Sequence, residues 1–95
     1  MCKLFIYLRS SEAELINSFE TTTLEIVKNL KTEYHIGNIE GSALTENKFT
    51  RVIEVCSDSL LSLNKLMISS EGKNLTRHLS NYMGHITSFI VEFKD

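Results

Sequence analysis

The order of its predicted segments constrains what this chain can fold into more than any other feature of the sequence. Four runs of β-branched, aromatic or aliphatic residues have the alternation of strands, and two stretches have the three- and four-residue apolar spacing of helices. The predicted order is β-α-β-β-α-β. Chains of this order commonly form a four-stranded antiparallel sheet with the helices on one face. We therefore expect an α+β, ferredoxin-like βαββαβ fold, with residues 1–95 as a single domain.

Capping and turn residues predict the boundaries in the first half of the chain. The first strand is expected over residues 3–9. Ser11 and Glu14 have the spacing of a capping box, which predicts that the first helix begins there, and the apolar stripe predicts an end near Lys31. Residues 34–43 contain two glycines and predict a bent or bulged strand.

The second half of the chain is expected to contain a hairpin strand, a split helix and a final strand. A polar turn at 45–48 leads into the strand at 49–56, which should pair with 34–43. The residues 57–59 offer N-caps for a short helix, and the two serines at 69–70 break it. A further helix should open at 70 or 71, place Leu75, Leu79, Tyr82 and Met83 on one stripe, and stop at Gly84. The last strand is expected over 87–93.

Alternation along the strands predicts which side chains face the helices. The more apolar set is expected on that side: Leu4, Ile6, Leu8, Ile53, Val55, Phe89, Val91 and Phe93. The other set is expected on the uncovered face: Phe5, Tyr7, Arg9, Val52, Glu54, Cys56, Ile90 and Glu92. Leaving a large apolar side chain exposed rather than buried costs roughly 1.5–3 kcal/mol. We therefore expect a second copy of the chain to cover this face, the alternative being that bulges shift the alternation and turn the charges outward.

Four consecutive features of the chain resemble the antibiotic-biosynthesis-monooxygenase-like family. They are the segment NKFTRVIEVCSD at 47–58, a short helix, the serine turn SSEGK at 69–73 and a second helix. Gly37 also lies where that family often has a glycine entering its second strand. The resemblance implies a dimeric α/β barrel, in which two ferredoxin-like protomers join their sheets face to face and each has a ligand cavity between sheet and helices. It also implies oxidation of aromatic or quinol-like compounds without metal or flavin. Relatives that degrade haem use an Asn, a Trp and a His, and this chain has Tyr7, Cys56 and a slightly displaced His78 there.

Glu54 and His78 are the candidate catalytic residues. A carboxylate in the middle of a strand is costly to bury without a partner, so cover by a second subunit would raise its pKa toward that of a general base. The alternative for Glu54 is an ion pair with Arg9 or Arg51. Imidazole changes charge near neutral pH, which suits acid–base work, and the alternative for His78 is a solvent-facing position beside Arg77.

Tyr7, Cys56 and Tyr82 are the candidate ligand-binding residues. Tyr7 would orient a ligand hydroxyl or present its ring to the dimer interface. Cys56 lies between a strand and a helix N-terminus, where the helix dipole favours a thiolate, although a buried inert thiol is the alternative.

Composition removes several classes of function. The net charge of -2 argues against binding nucleic acid or anionic membranes through bulk positive charge. No membrane span, zinc or iron ligand spacing, or phosphate loop is present in the sequence, so we expect no cofactor and no metal. Two cysteines are too few for a disulfide framework, and the expected location is the cytoplasm.

The sequence thus predicts a small-molecule-binding homodimer that acts on an aromatic or quinol-like compound as a cofactor-independent monooxygenase. The alternative is a protein-binding module of the inhibitor or immunity type, for which the uncovered sheet face would be the partner surface. A cavity binder should dimerise through that face, whereas a partner binder should leave it free.

Overall fold

The computed structural model describes residues 1–41 and 48–94. Within them the chain forms β1 (Cys2–Leu8), α1 (Ala13–Asn29), β2 (Tyr34–Asn38), β3 (Arg51–Ser57), α2 (Leu60–Ile68), α3 (Ser70–Ser80) and β4 (Ile86–Glu92). The strands form an antiparallel sheet in the order β2-β3-β1-β4. The predicted α+β ferredoxin-like fold with a split second helix is therefore confirmed.

The core lies between one face of the sheet and the three helices. The alternate β1 residues Leu4, Ile6 and Leu8 are buried, as expected for a strand with one covered face. They belong to one buried cluster with Ile53 and Val55 of β3 and with four helix residues: Phe19, Val27, Leu63 and Leu75. The side of the sheet opposite this cluster is called the open face below.

The register of β4 reverses one expectation. Leu4 lies opposite Val55 on β3 and opposite Ile90 on β4, and Phe5 lies opposite Phe89. Residues directly opposite in an antiparallel pair point to the same face. Ile90 and Glu92 are therefore on the helix side, whereas Phe89, Val91 and Phe93 are on the open face. The assignment of β4 side chains was wrong because both faces of this strand carry apolar residues.

The ends of α1 also differ from the expectation. Ser11 and Glu14 do not form a capping box. Glu12 is the N-cap residue without a side-chain cap bond, and its N–H donates to Ser10 Oγ at 3.1 Å. The Ser10 hydroxyl thus accepts a hydrogen bond from the backbone just before the helix. The helix ends at Asn29, and Lys31 has a left-handed backbone with φ 57°.

The split between α2 and α3 is confirmed and depends on two serine caps. Ser59 accepts a hydrogen bond from the Ser62 N–H at the start of α2. Ser69 Oγ accepts from the Gly72 N–H at 3.1 Å and donates to the Leu66 carbonyl at 2.6 Å, so one hydroxyl joins the end of α2 to the start of α3. The helix stops at Ser80, before the predicted glycine.

Two further predictions need correction. Met83 was expected on the buried stripe of the last helix, but it lies beyond the end of α3 and is exposed. The described part of the second strand, β2, pairs with β3 in unbroken register from Tyr34 to Asn38, so it has no bulge there. The predicted end of that strand at 42–43 and the turn positions 45–47 lie outside the described residues.

No helix in the described residues is long and apolar enough to cross a membrane.

Candidate functional site

A cavity of about 580 Å³ lies on the helix side of the sheet, between β4 and the α2–α3 unit. Its walls are mainly apolar, with side chains from Leu4, Met67, Leu79, Met83, Ile86 and Ile90. Its hydroxyl groups come from Thr76, Ser80 and Ser88, and Phe89 completes the lining. A concave, mostly apolar space with a few polar groups is typical of a small-molecule site.

The three hydroxyl groups are not equivalent. Thr76 Oγ1 donates to the Gly72 carbonyl, and Ser80 Oγ donates to the Arg77 carbonyl, so both donors are used within α3. Ser88 Oγ has no hydrogen-bond partner among residues 1–41 and 48–94. The Ser88 hydroxyl can therefore both donate to and accept from a ligand.

None of the five residues predicted for the site lines this cavity. Tyr7 and Glu54 lie on the open face, which is the other side of the sheet. His78 and Tyr82 lie in the helical layer beside α1. Ser88 was missed because the two faces of β4 were assigned in reverse, which placed Ser88 on the open face. The register of β4 with β1 places Ser88 opposite Ile6, on the helix side.

Tyr7 lies within a group of aromatic rings on the open face. Its ring centroid is 6.1 Å from that of Phe5, 5.4 Å from that of Phe49 and 6.4 Å from that of Phe89. Phe93 adds a further ring against Phe5. We call Phe5, Tyr7, Phe49, Phe89 and Phe93 the aromatic patch.

Glu54 borders the aromatic patch and forms an ion pair with Lys3, whose Nζ donates to Oε1 at 2.8 Å. This hydrogen bond is the main cause that raises the pKa of Lys3 above its usual value. The predicted partners Arg9 and Arg51 were wrong, since Arg51 instead binds Glu20 of α1 at 2.8 Å.

Cys56 is buried at the end of β3 on the open face. Burial raises the pKa of its thiol, and nearby Lys3 opposes this effect only in part. The pKa of the Cys56 thiol is therefore raised, whereas its position before a helix N-terminus suggested a lowered one.

His78 is half-buried between α1 and α3 and forms a hydrogen bond of 2.7 Å between its Nε2 and Oγ1 of the buried Thr23. Its ring packs against Phe19 and Tyr82, with centroids 6.0 and 5.3 Å away. Desolvation lowers the pKa of His78 below 6.5. The packing and the Thr23 bond place His78 in the helix–helix contact and not at a solvent-facing position.

This environment predicts a pH-dependent stability. The pKa of His78 is lower in the folded chain than in the unfolded chain. As the pH falls from about 7, the unfolded chain therefore binds a proton at His78 more readily than the folded chain does. The free energy of unfolding must then decrease until the pH is below the folded pKa. We expect a lower Tm at pH 5 than at pH 7, and a smaller difference in His78→Gln. His85→Gln, at an exposed position, should keep the full difference. Equal pH dependence in wild type and His78→Gln would contradict the assignment.

Comparison with known proteins identifies the fold. No family model matches the chain, and no curated protein matches it. An ethyl tert-butyl ether (EthD) family protein from Bacillus halodurans has a TM-score of 0.83 and 22% identity, covering 99% of both chains. A candidate antibiotic biosynthesis monooxygenase from Deinococcus radiodurans has a TM-score of 0.66 and 12% identity, covering 100% of this chain and 94% of that one.

A third similar structure is a dimeric protein of unknown function with a ferredoxin-like fold from Bacteroides fragilis. It has a TM-score of 0.64 and 10% identity, covering 97% of this chain and 95% of that one. These likenesses confirm the predicted resemblance at the level of the fold, since this chain has the same overall architecture as these structures, one of which is described as ferredoxin-like.

Proposed function

We propose that the protein is a homodimeric α/β barrel that binds an uncharged aromatic or quinol-like molecule in the cavity between β4 and α3. The observation that carries this proposal is the cavity itself, with about 580 Å³ of apolar-walled space and the Ser88 hydroxyl as its available polar group. No Asp, Glu, Lys, Arg or His of residues 1–41 and 48–94 lines it, which favours an uncharged ligand.

The aromatic patch supports the homodimer. Phe89 is 55% exposed and Phe93 is 45% exposed, and both lie on the same face of the sheet as Phe5 and Tyr7. A contiguous apolar surface of this kind is typical of an interface. The Bacteroides fragilis structure with the same fold is described as dimeric. A second copy packed on the open face would bury the patch. Two free thiols support a cytoplasmic location as part of the proposal.

Binding is tested by titrating the protein with 1-naphthol, which matches the cavity in being aromatic and having one hydroxyl. We expect saturable binding of one molecule per chain. Ser88→Trp should weaken it at least tenfold, because the indole would fill the space and remove the hydroxyl. Asn64→Trp, an exposed position on α2 that does not line the cavity, is the matched control. Equal affinities for wild type and Ser88→Trp would contradict the cavity as the site.

Oxidation of the bound molecule is the second candidate function, favoured by the likeness to the Deinococcus radiodurans protein. In such a monooxygenation a substrate CH2 group becomes a carbonyl. One atom of O2 enters the product, the other leaves as water with both hydrogens, and the substrate supplies all the electrons. Glu54 and His78 remain the predicted proton acceptors. Neither lines the cavity, which is why binding is the primary proposal.

Oxygen consumption with anthrone separates binding from turnover. An oxygenase should convert anthrone to anthraquinone above the buffer rate, in the presence of a chelator, and should lose the activity in Ser88→Trp. Naphthol binding without anthrone oxidation would identify a binding protein. If naphthol does not bind and the chain is monomeric, the protein-binding module becomes the supported function, with the open face as its partner surface.

A further inference from the structure

A second cluster of chemically active side chains lies at the corner of the open face where β2 begins and β3 ends. A carboxylate oxygen of Glu33, an imidazole nitrogen of His35 and Sγ of Cys56 all lie within 4.8 Å of one another. The strand pairing explains this convergence. The Cys56 N–H donates to the Glu33 carbonyl at 2.8 Å, and His35 lies opposite Glu54, two residues before the cysteine.

The backbone of this corner is held in place, whereas two of its three side chains can adjust. Thr32 Oγ1 donates to the Cys56 carbonyl at 2.6 Å, which adds a side-chain bond to the strand pairing. The Cys56 side chain is buried, but those of Glu33 and His35 are 66% and 57% exposed. The thiol is therefore buried in a hydrogen-bonded part of the sheet, whereas the carboxylate and the imidazole, which contact each other at 3.6 Å, are exposed and can change rotamer.

Space and charge at the corner suit a cation. A cavity of about 340 Å³ adjoins it, lined by Lys31, Thr32, Glu33, Cys56, Ser57 and Asp58. The nearby ammonium of Lys3 is paired with Glu54 at 2.8 Å, and in the cavity lining the carboxylates of Glu33 and Asp58 outnumber the single ammonium of Lys31. A thiolate and a carboxylate together would balance the charge of a divalent ion.

We propose that Glu33, His35 and Cys56 bind a zinc ion, with a water molecule from the adjoining cavity as the fourth ligand. Sulfur and imidazole ligands favour zinc over magnesium or calcium. Zinc bonds of about 2.0–2.3 Å in a tetrahedron place ligand atoms roughly 3.3–3.8 Å apart. His35 Nε2 and Glu33 Oε1 are already 3.6 Å apart, and the separations to the Cys56 sulfur, at most 4.8 Å, need to shorten by no more than about 1.5 Å, a movement available to the two exposed side chains. On binding, the thiol proton passes to solvent, and no group changes oxidation state.

Titration of the reduced protein with Co²⁺, followed by displacement with Zn²⁺, tests the site. We expect one Co²⁺ per chain, a thiolate-to-cobalt charge-transfer band in the ultraviolet and the visible bands of a tetrahedral ion. Zn²⁺ should abolish these bands. His35→Gln should weaken binding about 100-fold or more, since it removes a direct ligand at an exposed position and loss of even a supporting partner costs 10–100-fold.

Matched variants separate this site from other thiols and imidazoles. Cys56→Ser should remove the charge-transfer band, while Cys2→Ser, at a buried thiol on the helix side, and His85→Gln should keep it. Circular dichroism checks that each variant is folded. A charge-transfer band that survives in folded His35→Gln with unchanged affinity, or the absence of any band in the wild type, would overturn the proposal. Binding of 1-naphthol in the cavity on the helix side of the sheet is measured separately, so failure of the zinc site can be distinguished from failure of the proposed function.

Discussion

Gly72→Ala is expected to destabilise the protein by about 3 kcal/mol or more. A Cβ at this position would lie 2.2 Å from the Leu66 carbonyl oxygen and 2.6 Å from both Cα and O of Met67. All three atoms belong to the backbone of α2, so no side chain can rotate away, and α3 must separate from α2. The gain in helix propensity from glycine to alanine is only about 1 kcal/mol, so the steric cost dominates.

Chemical denaturation of the wild type and the variant measures this difference. Because a domain of this size has a total stability of only about 5–15 kcal/mol, the shift in midpoint should be large. Gly84→Ala is the matched control, since a Cβ there would meet no atom within 4 Å. A Gly72→Ala protein as stable as the Gly84→Ala protein would show that α2 and α3 are not packed as closely as described.

Phe89→Lys is expected to convert the proposed dimer to a monomer. Each buried phenylalanine contributes roughly 1.5–3 kcal/mol, and twofold symmetry counts the substitution twice. A loss of about 3 kcal/mol raises the dissociation constant roughly 100-fold. The monomer itself should stay folded, because Phe89 is 55% exposed and lies on the edge strand β4, where lysine is well tolerated.

Sedimentation velocity over a range of concentrations measures this effect. Ile68→Lys is the matched control, since it places the same charge at a 70% exposed residue at the end of α2, away from the open face. Dissociation by Phe89→Lys alone would support the open face as the interface. Dissociation by Ile68→Lys alone, or a monomeric wild type, would contradict it.

Local signals in the sequence were sufficient for the order of the elements and for most of their boundaries. Alternation along β1 and β3 correctly predicted that Leu4, Ile6, Leu8, Ile53 and Val55 are buried, although Cys2 and Cys56 are buried as well. The serines at 59 and 69 both act as caps. The α1 cap was wrong because the helix begins at Ala13 with Glu12 as its N-cap, one residue later than the spacing of Ser11 and Glu14 predicts. The faces of β4 were wrong because its alternation offers apolar residues on both sides.

The candidate sites depend on non-local information. The large cavity is formed by the register of β4 beside β1 and by the separation between β4 and α3, neither of which any single segment encodes. The Glu33, His35 and Cys56 cluster depends on the pairing of β2 with β3 across an interval longer than common zinc-ligand spacings. Residues of ordinary type, such as Ser88 and Met83, carry no pattern that would indicate a ligand site.

The cavity walls lie mostly outside the buried core, on an edge strand and at the end of α3. Met83 is 76% exposed and Ile90 is 49% exposed, whereas the core side chains Phe19, Ile6 and Leu75 are fully enclosed. Substitution at the exposed wall positions changes little of the buried packing. The ligand preference of the proposed binding cavity can therefore change by surface mutation at low risk to folding, which would make this scaffold readily evolvable toward new small molecules.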